Sequence, residues 1–291
     1  MKKILITGAN SYIGTSFEKY IKDYYPDDYI VDTVDMMDKF WNQKSFVGYD
    51  SVFHVAGLAH SDNGRISEEK AKTYYAINTD LAIKTASKAK KDGVKQFILM
   101  SSAIVYGKSA PIGKKKIITK ESPIDPANCY GDSKVKAEEG IKLLRDSEFN
   151  IVILRSPMIY GKGSKGNYPI LSKFATKTSI FPYVKNERSM LYVENLCEFV
   201  RLMVENTEDG IFWPQNDEFV NTSNLVKTIA QVKGKKVFLI KGFGWVLKFM
   251  SYVSGFINKA FGNLCYDKKL SEYKDNYCIF SFEQSIKKTE L

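Results

Sequence analysis

With 291 residues, 44% of them hydrophobic, the chain has enough apolar mass for a full core, as one large α/β unit or as two coupled domains. No run approaches the roughly 20 apolar residues of a spanning helix, and Ile4–Ile6 is too short for the apolar heart of a signal peptide, so a cytoplasmic protein without a membrane span is expected. The four cysteines form no CxxC pair, His54 and His60 have no ligand cluster, and the formal charge of +10 is spread out apart from Lys114–Lys116, which points away from disulfides, metal and nucleic acid and toward a small phosphorylated ligand.

The first predicted strand, Ile4–Thr7, runs directly into Gly8, and Gly14 lies inside the start of the next helix, with Ser11, Tyr12 and Ile13 between them. A glycine turn in that context lets backbone N–H groups and a helix N-terminus meet the pyrophosphate of a dinucleotide. Asp35 closes the second strand, Ile30–Asp35, about 20 residues later, where a carboxylate accepts hydrogen bonds from the adenosine ribose. Met36 and Met37 follow, with no arginine for a 2′-phosphate, which favours NAD over NADP.

Ser51–Ala56, Gln96–Ser101 and Ile151–Arg155 read as further strands, separated by amphipathic segments such as Asp80–Lys91 and Ser133–Leu144. The alternation predicts an α/β fold with a parallel, doubly wound sheet. The strand from Gln96 leads to Ser101 and Ser102, on the sheet edge where ligands bind, and the Ser102 hydroxyl is placed to hold a substrate oxygen. Tyr130 and Lys134, four apart on a predicted helix, share one face. An adjacent ammonium lowers the phenol's pKa from near 10, which makes the two a workable proton-transfer pair. Cys129 beside them reads as a small half-buried residue rather than a nucleophile.

Beyond Arg155 the order loosens into a glycine-rich loop, Gly161–Asn167, a strand at Lys236–Ile240 and helices, expected to form a smaller C-terminal α/β cap. The segment Gly242–Gly262 carries Trp245, Leu247, Phe249, Met250, Tyr252, Val253, Phe256, Ile257 and Phe261, broken by Lys248, Asn258 and Lys259. Such a stripe is expected to be a cap helix or lid in preference to a basic amphipathic segment lying on a membrane.

The stretches TGANSYIG, VFHVAG, LMSSAIVYG, YGDSK and RSPMIYG, in this order and spacing, resemble the extended short-chain dehydrogenase/reductases, in particular the NAD-dependent nucleotide-sugar epimerase/dehydratase group typified by UDP-glucose 4-epimerase. The resemblance implies an NAD(P)-binding Rossmann domain over 1–155 and, over 156–291, a mainly nucleotide-sugar-binding cap with some segments returning to the Rossmann sheet. It implies Tyr130 as catalytic acid/base, Lys134 on the nicotinamide ribose and Ser102 on the sugar oxygen. Gly8 and Gly14 match the first and third glycines of the family turn, and Ser11 stands where the middle one usually is. There its side chain either hinders close approach to phosphate or donates to it. Ala56 and Gly57 match the pair beneath the cofactor, Asn78 the asparagine of the following helix, and Arg188, with Asn167, the groups on the nucleotide diphosphate. A homodimer through the helices at Asp80–Lys91 and Ser133–Leu144 is implied as well. Where the family's 4,6-dehydratases carry an Asp-Glu pair, this chain has Ala103 and Ile104, so dehydration is disfavoured. What remains is hydride exchange at C4 of a nucleotide sugar, most simply by a 4-epimerase, or by a 4-ketoreductase in surface-polysaccharide synthesis. A non-catalytic NAD(P)-sensing protein would have lost Tyr130, Lys134 and Ser102.

Overall fold

The described residues of the computed structural model are 1–59, 66–253 and 255–291, with backbone alone for 251–253, 255 and 256. His60 and the side chains of Tyr252, Val253 and Phe256, named above, lie outside them. The chain divides into two compact units.

The first unit comprises Met1–Gly107, Pro123–Ser156 and Leu196–Pro214. Its six strands form one parallel sheet in the spatial order Gly210–Phe212, Asn150–Ser156, Gln96–Ser102, Ser51–His54, Lys2–Thr7, Tyr29–Val34. A parallel sheet covered on both faces needs continuous apolar strands, and Ser51–His54, Gln96–Ser102 and Asn150–Ser156 are buried almost throughout. On one face Leu5, Val52, Phe97, Leu99, Ile151 and Ile153 pack with Ala82, Ala86, Ala89 and Ala137, small residues that let the helices approach closely. The doubly wound α/β arrangement expected from the alternation is present. Strand order reverses between Lys2–Thr7 and Ser51–His54, so a crevice opens beyond their carboxyl ends.

The helix predicted from Asp80 begins at Leu81 and is preceded by a π-helical turn, Tyr75–Asp80, which the sequence reading did not contain. The helix that carries Tyr130 and Lys134 begins at Cys129, where the Asn128 side chain accepts from the Gly131 N–H at 2.9 Å and caps it.

The second unit comprises Lys108–Ser122, Pro157–Asn195 and Gln215–Leu291. Short parallel strand pairs, Met158–Tyr160 with Met190–Tyr192, Ile180–Pro182 with Phe238–Ile240 and Ile117–Ile118 with Cys265–Tyr266, lie among helices that include Asn167–Lys177, Thr222–Val232 and Phe282–Glu290. Tyr160 stacks on Tyr168 at 5.3 Å and shares hydrogen bonds with Ser285 and Asn216 in its core. The segment after Gly242 forms two helices, Gly244–Val253 and Gly255–Phe261. The second ends in buried Ala260 and Phe261, whereas the first presents Trp245 and Phe249 to solvent, against the expectation of a buried stripe. Apolar residues cover more than half the circumference of that helix, so packing one part of the stripe leaves another uncovered.

His54, buried at the end of its strand, bonds Thr7 at 2.8 Å through Nδ1, and burial followed by the Lys134 charge pushes its pKa down to about 3. The unfolded imidazole takes up a proton near pH 6.5 and the folded one only near 3, so in between acid favours unfolding. Stability should fall by about 3 kcal/mol on this account between pH 7 and 4. Urea titrations of the wild type and His54→Gln across that range check this: the variant should show the shallower pH dependence.

Candidate active site

Gly8 leaves its strand at φ +122°, and a Cβ placed there would lie 2.7 Å from the Ala56 backbone nitrogen. Only glycine permits that approach between the two strand ends. The Gly8 and Ala9 N–H groups donate to the Val34 carbonyl at 2.9 and 3.0 Å, which fixes the turn beside Asp35. Ser11 is the N-cap of the helix Tyr12–Tyr24, its Oγ accepting from the Gly14 N–H at 3.1 Å. A Cβ on Gly14 would lie 2.7 Å from that oxygen, so the serine and the glycine are matched. Ser11 thus caps the helix and keeps its hydroxyl proton to donate. Exposed Asp35 accepts from the Met37 N–H at 2.8 Å through Oδ1.

Gly57 follows Ala56, and a Cβ there would meet Asn78 Oδ1 at 3.0 Å and Lys134 Nζ at 3.2 Å. Asn78, in the π-helical turn, accepts from the Leu58 N–H at 2.8 Å and donates to Ser133 Oγ at 3.0 Å. Its amide therefore ties the loop after Gly57 to the helix Cys129–Lys142. The sequence-predicted Gly57, Asn78 and Lys134 come together at one point of the first unit.

Ser102 ends its strand and accepts from the Ile104 N–H at 3.3 Å. Tyr130 stands in the first turn of the Cys129–Lys142 helix, its ring 6.0 Å from that of Tyr74. Enclosure raises the Tyr130 pKa, a hydrogen bond with Ser102 draws it back and Tyr74 adds to the rise. The direction is opposite to the expected lowering by Lys134, whose charge is not among the causes: the buried lysine donates to the Met100 carbonyl at 2.9 Å. Burial lowers Lys134 to about 8, against an opposing pull from Glu138 one turn along.

Glu138 was not among the predicted site residues. Buried, it accepts from Arg155 Nη2 at 2.6 Å and Nε at 3.1 Å and from Ser101 Oγ at 2.5 Å. Arg155 reaches Tyr106 at 2.7 Å, and Trp213 donates to the same oxygen at 2.7 Å. The network holds the strand end bearing Ser102 against the helix bearing Lys134. Its sequence signal was a carboxylate four residues after Lys134, matched by an arginine in a strand of apolar residues.

Asn167 and Arg188 belong to the second unit. Asn167 is the first residue of its helix, after Gly166 at φ +95°. Arg188 donates through Nη1 to the carbonyls of Lys259 and Gly262 at 2.5 and 3.2 Å, capping the Gly255–Phe261 helix, and enclosure lowers its pKa to about 10. Cys129 is half-buried, and none of the four cysteines forms a disulfide. No cluster of three potential metal ligands occurs among the described residues.

Residues 4–212 match the profile of the NAD dependent epimerase/dehydratase family. The chain belongs to that family. Its cofactor is NAD(P), and the observed turn fits one: the helix Tyr12–Tyr24 opens directly after the Gly8 turn at the carboxyl end of the sheet, the end of a helix that favours a diphosphate. The chain is 25% identical over 274 residues to a UDP-glucose 4-epimerase of Vibrio cholerae, covering 87% of this chain and 83% of that one. It is 27% identical over 254 residues to the N-acetyl-alpha-D-glucosaminyl-diphospho-ditrans,octacis-undecaprenol 4-epimerase of Escherichia coli O157:H7, covering 80% and 73%. The fold is also that of a dTDP-4-dehydrorhamnose reductase from Clostridium acetobutylicum, with a TM-score of 0.73 at 19% identity over 99% of this chain and 98% of the other.

Replacing Ser11 tests the turn. Ser11→Ala should cost about 1 kcal/mol and Ser11→Gly a few tenths, while Gly8→Ala, strained and obstructed, should cost about 1–3 kcal/mol and abolish NAD(H) binding. Urea unfolding and fluorescence titration with NADH measure these.

Proposed function

We propose that the chain is an NAD-dependent 4-epimerase of a nucleotide sugar, UDP being the expected carrier, and that it acts in the cytoplasm. The observation that carries this reading is Tyr130, one turn from Lys134 on its helix, close to Ser102 at the end of a strand whose next residues are Ala103 and Ile104 in place of an acid-base pair for dehydration. Tyr130 takes the proton of the C4 hydroxyl and later returns it, while Ser102 holds the same oxygen. Lys134 holds the nicotinamide ribose and supplies positive charge beside the phenol. NAD+ held there would supply the hydride acceptor, and once reduced the hydride donor, for C4. Arg188, through Nη2 and Nε, and Asn167 are the proposed donors to the diphosphate.

One observation favours the runner-up, an NAD(P)H-dependent 4-ketoreductase of a nucleotide 4-keto sugar. The raised Tyr130 pKa keeps the phenol protonated, the form that delivers a proton to a keto oxygen. Retention of Ser102, Tyr130 and Lys134 speaks against a purely sensing protein.

Denaturing extraction of the purified protein, with chromatography of the released nucleotide, separates the two enzymes. An epimerase should release stoichiometric NAD+ and interconvert UDP-glucose or UDP-N-acetylglucosamine with the galacto form, without added cofactor. The undecaprenyl-diphosphate N-acetylglucosamine named for the E. coli relative belongs in the same assay. An empty site and no interconversion would favour the reductase. Tyr130→Phe should lower turnover by about 10²–10⁴-fold with NAD(H) binding nearly intact, and unchanged turnover would overturn the mechanism.

A further inference from the structure

The net charge is divided unevenly. The second unit holds 23 Lys and Arg against 10 Asp and Glu, a formal +13, and the first holds 20 against 23, a formal −3. Within the second unit, 157–186 contains five lysines and 219–266 seven, and neither stretch contains a single Asp or Glu.

These two stretches also build an exposed apolar surface. Ile180–Pro182 pairs with Phe238–Ile240, and Ile180 and Phe238 are 58% and 66% exposed. Phe238 and Ile240, two apart on a strand, share one face. Ile180, Pro182 and Ile240 line a groove of about 430 Å³ together with Phe243, Val246 and Leu247 from the start of the Gly244–Val253 helix. One turn apart on that helix, Trp245 and Phe249 are 76% and 73% exposed. Exposed Lys177, Lys236, Lys241 and Lys248 lie within three residues of these apolar side chains.

We propose that this face of the second unit docks on an anionic lipid bilayer, with the rings of Trp245 and Phe249 entering the headgroup boundary and the surrounding lysines facing lipid phosphates. Large aromatic side chains beside lysines, on a helix too short to span, are the features of an interfacial helix. Charge complementarity selects the occupant. A bilayer bearing acidic lipids offers apolar depth and negative charge together, whereas a second copy would set one unit of +13 against another. Docking needs no catalysis, and Tyr130→Phe should bind vesicles as the wild type does, so the proposal and the assigned activity fail separately.

Flotation of the purified full chain with vesicles of phosphatidylcholine, alone or with about one-third phosphatidylglycerol, tests it. Binding should require the acidic lipid and be lost in molar salt. Trp245→Ser/Phe249→Ser should weaken binding by at least tenfold, and Lys→Gln at 236, 241 and 248 by about fivefold each. Both altered proteins should keep the wild-type circular dichroism, since only exposed side chains change. No binding to acidic vesicles at low salt, or binding that the aromatic pair does not affect, would overturn the proposal. So would light scattering that finds an oligomer which the aromatic substitutions break, because the face would then join two copies.

Discussion

The crevice depends on one steric constraint, the approach of the Gly8 backbone to that of Ala56 where strand order reverses. A Cβ at Gly8 would sit 2.7 Å from a main-chain nitrogen, which cannot move aside as a flexible side chain does. The turn hangs from the Val34 carbonyl, which also brings Asp35 alongside it. Three strand ends are therefore fixed relative to one another by main-chain contacts alone. The helix that follows aims its first turn from a serine cap, so the same few residues set both the shape of the turn and the local positive potential.

A second constraint is electrostatic. Glu138 and Arg155 form a paired, hydrogen-bonded charge couple inside the first unit, tied to Ser101, Tyr106 and Trp213. Such a couple contributes little net stability, but losing either partner strands a buried charge. Its geometric role is to join the strand that ends in Ser102 to the helix that carries Tyr130 and Lys134. Rigid support of this kind keeps a proton-transfer group in register with the atom it serves.

Features governed by local backbone rules were legible in the sequence: the strand leading to Gly8, the five central strands within a residue or two, and the shared face of Tyr130 and Lys134. Features set by distant partners were not. The π-helical turn around Asn78 leaves no mark on an amphipathic pattern. Glu138 finds Arg155 only after folding. The direction of the Tyr130 pKa differs from the expected one because spacing reveals a lysine one turn away but not the enclosure that raises the phenol. The solvent face of Trp245 and Phe249 was hidden for a related reason: an apolar stripe wider than half the helix gives no sequence clue to which part of it is covered.

The absence of carboxylates from 157–186 and 219–266 has a chemical consequence of its own. Calcium and magnesium are held by oxygen ligands, above all carboxylates, and no side chain in either stretch offers one. Divalent ions therefore find no carboxylate in these stretches through which to bridge the surface to lipid phosphates. Their effect would be to shield the phosphates and compete with lysine, so a rise in divalent concentration would loosen contact with an acidic surface.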